Sequence, residues 1–292
     1  MYELIQAGPR SYYIDCPVKM GLYRTDKGVY LIDSGGDKST GSKVRKILDQ
    51  QGWTLLAILN THAHADHIGG NRYLQSQTGC KIFASGPEAA ITRHTLLGPT
   101  SLYGGCPPAD LRHKFMLAQP SDVLPLAEHP DFPRELTVLP LPGHSPDMVG
   151  FRTPDDVVYL ADCVSSAVTL EKYGVCFLYD AAAYLETLDT VEAMEARLFV
   201  PAHAEAVTDI RDLVRRNRDK VWEIARCLTD LCTEPASFET LLQSVFRRYG
   251  LTMNFEQYAL VGSTVRSYLA WLRNLGWLEP EFADDRLLWR RV

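Results

Sequence analysis

Short apolar runs followed directly by polar groups recur through the first two-thirds of the chain. Five such runs end in an aspartate or a histidine: GVYLID, LLAILNTHAHADH, LTVLPLPGH, DVVYLAD and RLFVPAH. Runs of this length and composition predict buried β-strands. Because buried strands stop at a common sheet edge, we expect the polar groups that follow them to converge on one site.

Helical patterns separate these strands, for example at residues 36–52 and 180–195. Strands that alternate with helices predict a layered α/β fold. Residues 86–135 break the pattern, because they are rich in glycine, proline and aromatic residues. A long irregular insertion is expected here, either as a loop on the surface or as a mobile cover over a site, with residues 94–113 as the cover.

A long amphipathic pattern at residues 208–231 predicts one helix, with Thr208 as its N-cap. Its basic and acidic residues balance. The chain is therefore expected to divide into a layered domain at 1–207, a connecting helix at 208–234 and a tail at 235–292.

The tail carries clear start and stop signals for helices. Ser237 opens one helix, Asn254 and Gln257 form a capping box, and Ser263 is placed to cap a third helix that ends at Gly276. Two short strands around an aspartate-rich turn follow. Three helices and a hairpin in so short a segment predict a winged helix.

Composition narrows the class of protein. Hydrophobic residues make up 46% of the 292 residues, enough for a sizeable core, and no apolar stretch reaches the ~20 residues that span a bilayer. The N-terminus lacks the basic-then-apolar pattern of a signal peptide, so we expect a cytoplasmic protein with no membrane partner. The net charge of −6 disfavours nucleic acid as a partner. Seven cysteines without a CxxC pair indicate neither a disulfide framework nor a zinc ribbon.

The segment NTHAHADHIGG carries three of the eight histidines within six positions, together with Asp66. Histidine and aspartate are ligands for a borderline metal ion such as zinc. Four ligands on so short a segment cannot all reach one ion with tetrahedral geometry, so two ions that share them are easier to accommodate. His144 and His203 could each complete a set of three ligands, and the two oxygens of Asp162 could bridge both ions.

HAHADH, followed by His144, Asp162 and His203, resembles the metallo-β-lactamase superfamily, whose pattern is HxHxDH and then His, Asp and His at strand exits. The resemblance covers about residues 1–207 and implies an αββα sandwich. It also implies two metal sites bridged by Asp162, with His62, His64 and His144 at the first metal and Asp66, His67 and His203 at the second. IDSGG matches the first motif of the superfamily, which implies that Asp33 orients a ligand without touching the metal.

One departure concerns the last ligand, because His203 lies in PAHAEA rather than in a Gly-His-Gly context. The methyl groups of the flanking alanines restrict that loop. His94, His113 and His129 are alternative ligands, but none follows a predicted strand, and we expect ordinary loop histidines. Cys163, next to a buried strand, is expected to pack rather than to react.

The resemblance implies a hydrolase with two zinc ions, although iron or manganese would suit the same ligands. A hydroxide held between the metals would attack an ester, thioester or lactone of a small metabolite, as in enzymes similar to glyoxalase II. Asp66, besides binding metal, is expected to accept the proton of the nucleophile, and Asp33 to support the catalytic site. No serine or cysteine nucleophile is then required.

Two other activities of the superfamily stay open. Some RNA-cleaving relatives carry a C-terminal winged helix, which favours phosphodiester cleavage. However, residues 1–207 have a net charge of −7, and nucleic-acid enzymes usually have a basic surface. Persulfide dioxygenases share HxHxDH but hold one iron on two histidines and an aspartate, and metal content would distinguish them.

The tail has a net charge of only +1, so we expect it to contact protein, most simply a second copy of the chain in a homodimer. Tyr268, Trp271 and Trp277 would supply aromatic surface for that contact, and the alternative is that part of this surface is the core of the tail itself. The side chains on the opposite face that could enter a DNA groove are Thr264, Arg266, Ser267 and Arg273.

Overall fold

The computed structural model describes residues 2–126 and 129–292. Within this part, two β-sheets face each other and helices cover both outer faces, which confirms the expected αββα sandwich. The strands of the first sheet, in spatial and chain order, are β1 (Glu3–Gln6), β2 (Ser11–Asp15), β3 (Met20–Thr25), β4 (Gly28–Ile32), β5 (Leu55–Leu59), β6 (Lys81–Ala84) and β7 (Leu124–Pro125). Strands β1 to β4 pair antiparallel, and β4 to β7 pair parallel.

The second sheet is smaller, and a third sheet belongs to the tail. The second consists of β8 (Thr137–Pro140), β9 (Val149–Arg152), β10 (Val157–Ser165) and β11 (Leu198–His203), with β10 parallel to β11 and the other pairs antiparallel. The third consists of β12 (Ala236–Ser237), β13 (Leu278–Ala283) and β14 (Arg286–Arg291), with β14 in the middle. Asp284 and Asp285 form the turn of the β13–β14 hairpin, as predicted, and both have left-handed φ values.

The helices are α1 (Lys38–Gln51), α2 (Ala65–Ile68), α3 (Asn71–Thr78), α4 (Gly86–Arg93), α5 (Leu97–Tyr103), α6 (Ala167–Tyr173), α7 (Ala181–Glu192), α8 (Arg211–Leu231), α9 (Phe238–Arg248) and α10 (Phe255–Asn274). Helix α1 matches the expected pattern. The Asp37 side chain caps it by accepting from the Thr40 backbone N–H, and Gly52 ends it with a left-handed φ. None of the helices in the described ranges is long and apolar enough to cross a membrane.

Alternation along the central strands produces the layers. In β10, Val158 and Leu160 face the helices while Val157 and Tyr159 face the first sheet. The same alternation in β4 and β5 separates an outer cluster under α1 and α3 from the cluster between the sheets. Each sheet therefore buries both faces, which explains why these strands read as nearly continuous apolar runs.

The segment 86–135 is more regular than predicted. It contains α4, α5, β7 and a 3-10 turn at Ala109–Leu111. Helix α5 and the turn contact α10 of the tail, and α4 contacts β6 and β7, partners that the local sequence does not reveal. The ring of Tyr103 lies 6.0 Å from that of Phe255, at the start of α10. The insertion is thus attached to the tail, and its role as a cover stays a prediction.

Two of the expected N-caps are wrong. Helix α8 begins after Ile210 rather than Thr208, and the Asp209 carboxylate accepts from the Arg211 backbone N–H. Ser263 lies inside α10, which runs unbroken from its cap at Asn254 because no proline interrupts it. The caps at Ser237 and Asn254 are confirmed, since each side chain accepts from a backbone N–H three residues on.

The tail packs against the outer, helix-covered face of the second sheet. One hydrophobic cluster joins Val158 and Leu160 of the second sheet to residues of α8, α9, α10 and β13. Tyr268 and Trp271 are buried in it, so the expectation that they form a dimer surface is wrong. Thr264 is also buried, and its hydroxyl accepts from the Leu178 backbone N–H, so it cannot enter a DNA groove.

Candidate metal centre

Strand ends bring the expected polar groups to one edge of the sandwich. Asp33 follows β4, the histidine motif follows β5, His144 follows β8 and His203 ends β11. Asp162 differs from expectation, because it lies inside β10 rather than at its end. Ala161 before it has a left-handed φ of 50°, and the register of β10 against β11 shifts there. Such a bulge re-aims a side chain, here the carboxylate that faces the histidines.

The first ligand set consists of His62, His64, His144 and Asp162, whose candidate ligand atoms all lie within 4.8 Å of one another. Nε2 of His62 and Nε2 of His144 lie 2.9 Å and 3.0 Å from Nδ1 of His64. The other nitrogen of His62 faces the Thr61 hydroxyl at 3.0 Å, and that of His144 faces the Phe177 carbonyl oxygen at 3.2 Å. These outer partners fix the orientation of the two rings, so that each turns its remaining nitrogen inward.

The second ligand set consists of Asp66, His67, His203 and Asp162, again with ligand atoms within 4.8 Å of one another. Nε2 of His203 lies 3.4 Å from Oδ2 of Asp66 and 3.2 Å from Oδ2 of Asp162. The alanines beside His203 therefore do not keep it away from the site. All seven residues expected to bind metal lie together, and their roles as ligands stay predictions.

Asp162 is the one residue common to both ligand sets, as a bridging ligand would be. Its Oδ1 atom and Nε2 of His67 are buried and lie 2.9 Å apart, yet neither makes an aligned hydrogen bond with any described residue. Leaving buried polar atoms unsatisfied costs about 1–3 kcal/mol each. A metal ion bound by these atoms would satisfy both, so the donor set fits the metals that the superfamily pattern implies.

Asp33 contacts the site through other residues, as expected of an orienting group. It is buried, and it accepts hydrogen bonds from the Thr61 backbone N–H at 2.8 Å and from the Thr61 hydroxyl at 2.7 Å. Its Oδ2 lies 2.8 Å from Nδ1 of His67. A carboxylate there holds the proton on Nδ1, so that Nε2 of His67 faces the ligand cluster.

Two glycines after the histidine motif let the loop of Asp33 lie against it. A Cβ on Gly69 would lie 2.2 Å from the Gly36 backbone, and a Cβ on Gly70 would lie 2.3 Å from the Ser34 carbonyl oxygen. Only glycine fits at either position. The HIGG stretch therefore brings the two loops close enough for Asp33 to reach His67.

The two ligand sets differ in protonation when no metal is bound. Burial lowers the pKa of His62 and His64, and it lowers the pKa of His144 to about 4. Burial acts in the same direction on His67 and His203, but the carboxylates of Asp162 and Asp66 outweigh it. They raise the pKa of His67 and raise the pKa of His203 to about 10. The histidines of the first set are thus neutral at pH 7, and those of the second set are protonated.

An open groove of about 440 Å³ reaches the second ligand set at His203. Its other charged residues are Glu3, Asp15, Glu205 and Lys19. The Lys19 ammonium lies 3.3 Å from Oδ1 of Asp15 and so is already paired. Away from His203, the lining of this groove therefore has a net negative charge, from Glu3 and Glu205.

The alternative ligands lie elsewhere. Neither ligand set found in the described part of the chain includes His94, His113 or His129. Nε2 of His113 lies 3.2 Å from Oε2 of Glu256, and the ring of His129 packs edge-on against Phe83 at 5.3 Å. Both are loop histidines, as expected.

Other residues at the site were missed from the sequence. Phe177 contributes a backbone carbonyl, and its ring lies 5.3 Å from that of His64, neither of which has a sequence signal. Glu88 lies in the segment expected to be irregular, and it contacts the histidine motif. Cys163 is correctly expected to pack, since it is buried and burial raises the pKa of its thiol to about 12.

Curated relatives match parts of the chain. A hydroxyacylglutathione hydrolase from Methylococcus capsulatus is 39% identical over 80 residues, which are 25% of this chain and 30% of that protein. The probable metallo-hydrolase YqgX from Bacillus subtilis is 31% identical over 163 residues, which are 54% of this chain and 70% of that protein. The chain thus spans less than half the length of the hydroxyacylglutathione hydrolase.

Solved structures share the fold over nearly the whole chain. A β-lactamase domain protein from Burkholderia ambifaria superposes with a TM-score of 0.74 at 20% identity, covering 99% of this chain and 94% of that one. A metallo-β-lactamase family protein, TTHA1429 from Thermus thermophilus, gives a TM-score of 0.73 at 19% identity, with 97% and 99% covered. Their likeness therefore includes the tail as well as the sandwich. Residues 13–203 match the family model described as the metallo-beta-lactamase superfamily, and this chain belongs to that superfamily.

Proposed function

We propose that the chain is a metal-dependent hydrolase that uses two divalent ions, with zinc as the first choice, to cleave an ester, thioester or lactone of a small molecule. The observation that carries the proposal is the pair of overlapping ligand sets that share Asp162. The matches to relatives named as hydrolases support the same reaction type. Bound ions would supply an activated water and polarise the oxygen of the scissile carbonyl.

The residues of the site have different proposed roles in binding metal, orienting ligands and accepting a proton. His62, His64 and His144 would hold one ion, Asp66, His67 and His203 the other, and Asp162 both; these are proposed roles. Asp33 keeps Nε2 of His67 turned to the site through its contact with Nδ1. Asp66 is the more exposed carboxylate of the second set, with 43% of its side chain accessible, and it is placed to accept a proton from an attacking water.

The groove at His203 supports a small neutral or cationic substrate. Beyond His203 and the proposed ions, three acids and one paired lysine line it, so a phosphodiester backbone that extends along the groove would meet repulsion from Glu3 and Glu205. A glutathione thioester would bring its own carboxylates toward the same acids. Hydrolysis of a small uncharged thioester, ester or lactone is therefore favoured over ribonuclease activity.

Ribonuclease activity is the second candidate function, because of the fold of the tail. Its order of helix α8, short strand β12, helices α9 and α10, and hairpin β13–β14 supports a winged helix that begins at α8 rather than at residue 235. Arg266 lies over the Phe238 ring at 3.8 Å, so one of the two basic residues that could have entered a DNA groove is engaged within the tail. A homodimer stays a proposal without a defined contact surface.

The test begins with elemental analysis of protein purified without chelators, followed by reconstitution of metal-free protein with zinc, manganese or iron. Two ions per chain, and turnover of neutral thioesters or lactones above that of glutathione thioesters, bis(p-nitrophenyl) phosphate and RNA, are expected. One iron per chain with oxygen consumption on a persulfide would overturn the proposal in favour of a dioxygenase. Preferential, salt-sensitive RNA cleavage would overturn it in favour of the ribonuclease.

A further inference from the structure

Glu88 is a buried carboxylate on α4, outside both ligand sets. Glu88 is 1% exposed and lies in the first turn of the helix. The three histidines of the first ligand set come from two separate loops, one after β5 that carries His62 and His64, and one after β8 that carries His144. Helix α4 lies where it can touch both loops.

The two oxygens of Glu88 contact different loops. Oε2 accepts a hydrogen bond of 2.9 Å from the backbone N–H of Ala63, the residue between His62 and His64. Oε1 accepts from the Ser145 hydroxyl at 2.7 Å and from the Asp147 backbone N–H at 3.2 Å. The Glu88 carboxylate therefore joins Ala63, which lies between His62 and His64, to Ser145, which follows His144.

A neighbouring contact strengthens the same connection. The hydroxyl of Ser85, the N-cap residue of α4, donates to the Asp147 carbonyl oxygen at 2.8 Å. The first turn of α4 thus holds the loop of His144 through two side chains. Burying a carboxylate is costly unless its oxygens are hydrogen-bonded, and an apolar side chain would pack here without that cost. Burial raises the pKa of Glu88, and its three hydrogen bonds offset part of that effect.

We propose that Glu88 is a positioning residue whose carboxylate fixes the distance between the two loops, and thereby sets the metal affinity of the first ligand set. The proposal rests on the proposed metal site. Glu88 touches neither metal nor substrate, and it acts through Ala63 and Ser145. The second ligand set takes His67 and His203 from outside this connection, so it should respond less.

The first experiment compares Glu88→Gln with Thr92→Val. Glutamine keeps the shape but places an N–H₂ group against one of the donors, so one side of the connection is lost. Thr92 is buried one turn further along α4, and within the described residues its hydroxyl bonds only to the Glu88 backbone carbonyl, so its variant controls for damage to the helix. Zinc titration against a chromophoric chelator should show the tighter site weakened about 10- to 100-fold in Glu88→Gln, as for other residues that support metal ligands.

We expect Thr92→Val to keep the zinc affinity of the wild type, even if its melting temperature falls as much as that of Glu88→Gln. Cobalt(II) substitution gives a second readout, because a loosened first set should change the visible d–d spectrum in Glu88→Gln alone. Equal zinc affinities and identical spectra in Glu88→Gln and the wild type would overturn the proposal.

The second experiment needs neither a variant nor a metal. Amide hydrogen exchange in the metal-free wild-type protein should be slow at Ala63, since Glu88 is its hydrogen-bond partner. Exchange there at the rate of a free loop amide would overturn the connection, even if Glu88→Gln failed to fold. Failure of the wild type to bind zinc would overturn the proposed metal site instead, and the Ala63 result would separate the two outcomes.

Discussion

The two ligand sets share Asp162 but are held differently. The first is dominated by histidines that are neutral at pH 7, and its outer contacts are a hydroxyl and a carbonyl oxygen. The second joins two histidines to two carboxylates, and an open groove reaches it at His203. A metal ion entering the first set displaces no proton at neutral pH, whereas one entering the second does. We therefore expect a tightly held ion in the first set and a weaker, exchangeable ion on the side that faces substrate.

The largest effect is expected from Asp162→Ala, which removes the residue that the sets share. At least one ion per chain should be lost, and turnover should fall about 1,000-fold or more, because metal assistance contributes several kcal/mol to the transition state. Elemental analysis and kcat on the best ester or thioester measure this. Asp155→Ala is the control, since its carboxylate binds the Arg10 backbone N–H away from the site. Two bound ions and normal turnover in Asp162→Ala would refute the bridging role.

Asp33→Asn should lower the metal affinity of the second ligand set more than that of the first. Asparagine keeps the shape, but its single carbonyl oxygen cannot accept on both sides, from the Thr61 backbone N–H and from Nδ1 of His67, so the contact that orients His67 is weakened. Zinc affinity of the second set should fall about 10- to 100-fold while that of the first stays near its wild-type value. A two-site zinc competition titration measures both, with Asp37→Asn, the cap of α1, as the control. Equal losses at the two sets would contradict the assignment.

Lowering the pH should weaken metal binding at the second ligand set but not at the first. The pKa of His203 is raised to about 10, so its proton is present throughout pH 6–8 and must be displaced by metal. The pKa of His144 is lowered to about 4, so no proton competes there in that range. Affinity of the second set should fall about tenfold per displaced proton for each pH unit of acidification. Calorimetry in buffers of different ionisation enthalpy would count the protons, and equal proton release at the two sets would remove the distinction.

The smallest effect is expected from Phe177→Leu. The variant keeps the backbone carbonyl that faces His144 but removes a ring that packs edge-on against His64 and His144. An aromatic contact of this kind is worth about 0.5–1.5 kcal/mol, which corresponds to a roughly 2- to 10-fold loss of zinc affinity in the first set. Tyr179→Leu, two residues on and exposed, is the control. A larger loss in the second set than in the first would show that the ring acts elsewhere.

The sequence predicted a layered α/β fold and the strand ends that carry the clustered residues because those signals are local, whereas the sandwich was implied by the resemblance to the superfamily. An apolar run that ends in His144 or His203 reveals both a strand and its exit within ten residues. The bulge at Ala161 was not predictable, since its φ depends on how β10 pairs with its neighbours. The connection made by Glu88 joins residues 25 and 57 positions away, and no local pattern marks such a pair.

The tail misled sequence analysis for a related reason. Tyr268 and Trp271 read as interface residues when the tail is considered alone, but they are buried in the cluster under the second sheet. Helical periodicity tells which residues share a face, but it does not tell what that face packs against. Ser263 likewise has the chemistry of a cap, and only the continuity of α10 shows that no helix begins there.

The core that the tail shares with the second sheet has a consequence for the order in which a growing chain can fold. The outer cluster of the first sheet runs from Ile14 to Val123, so it can close before half of the chain has been synthesised. The cluster under the second sheet joins Leu141 to Leu278 and stays incomplete until the last helix and hairpin emerge. Contacts so distant along the chain form slowly. A ribosome-bound chain would therefore expose the histidine motif to free metal before the strands that carry the other half of the site are in place.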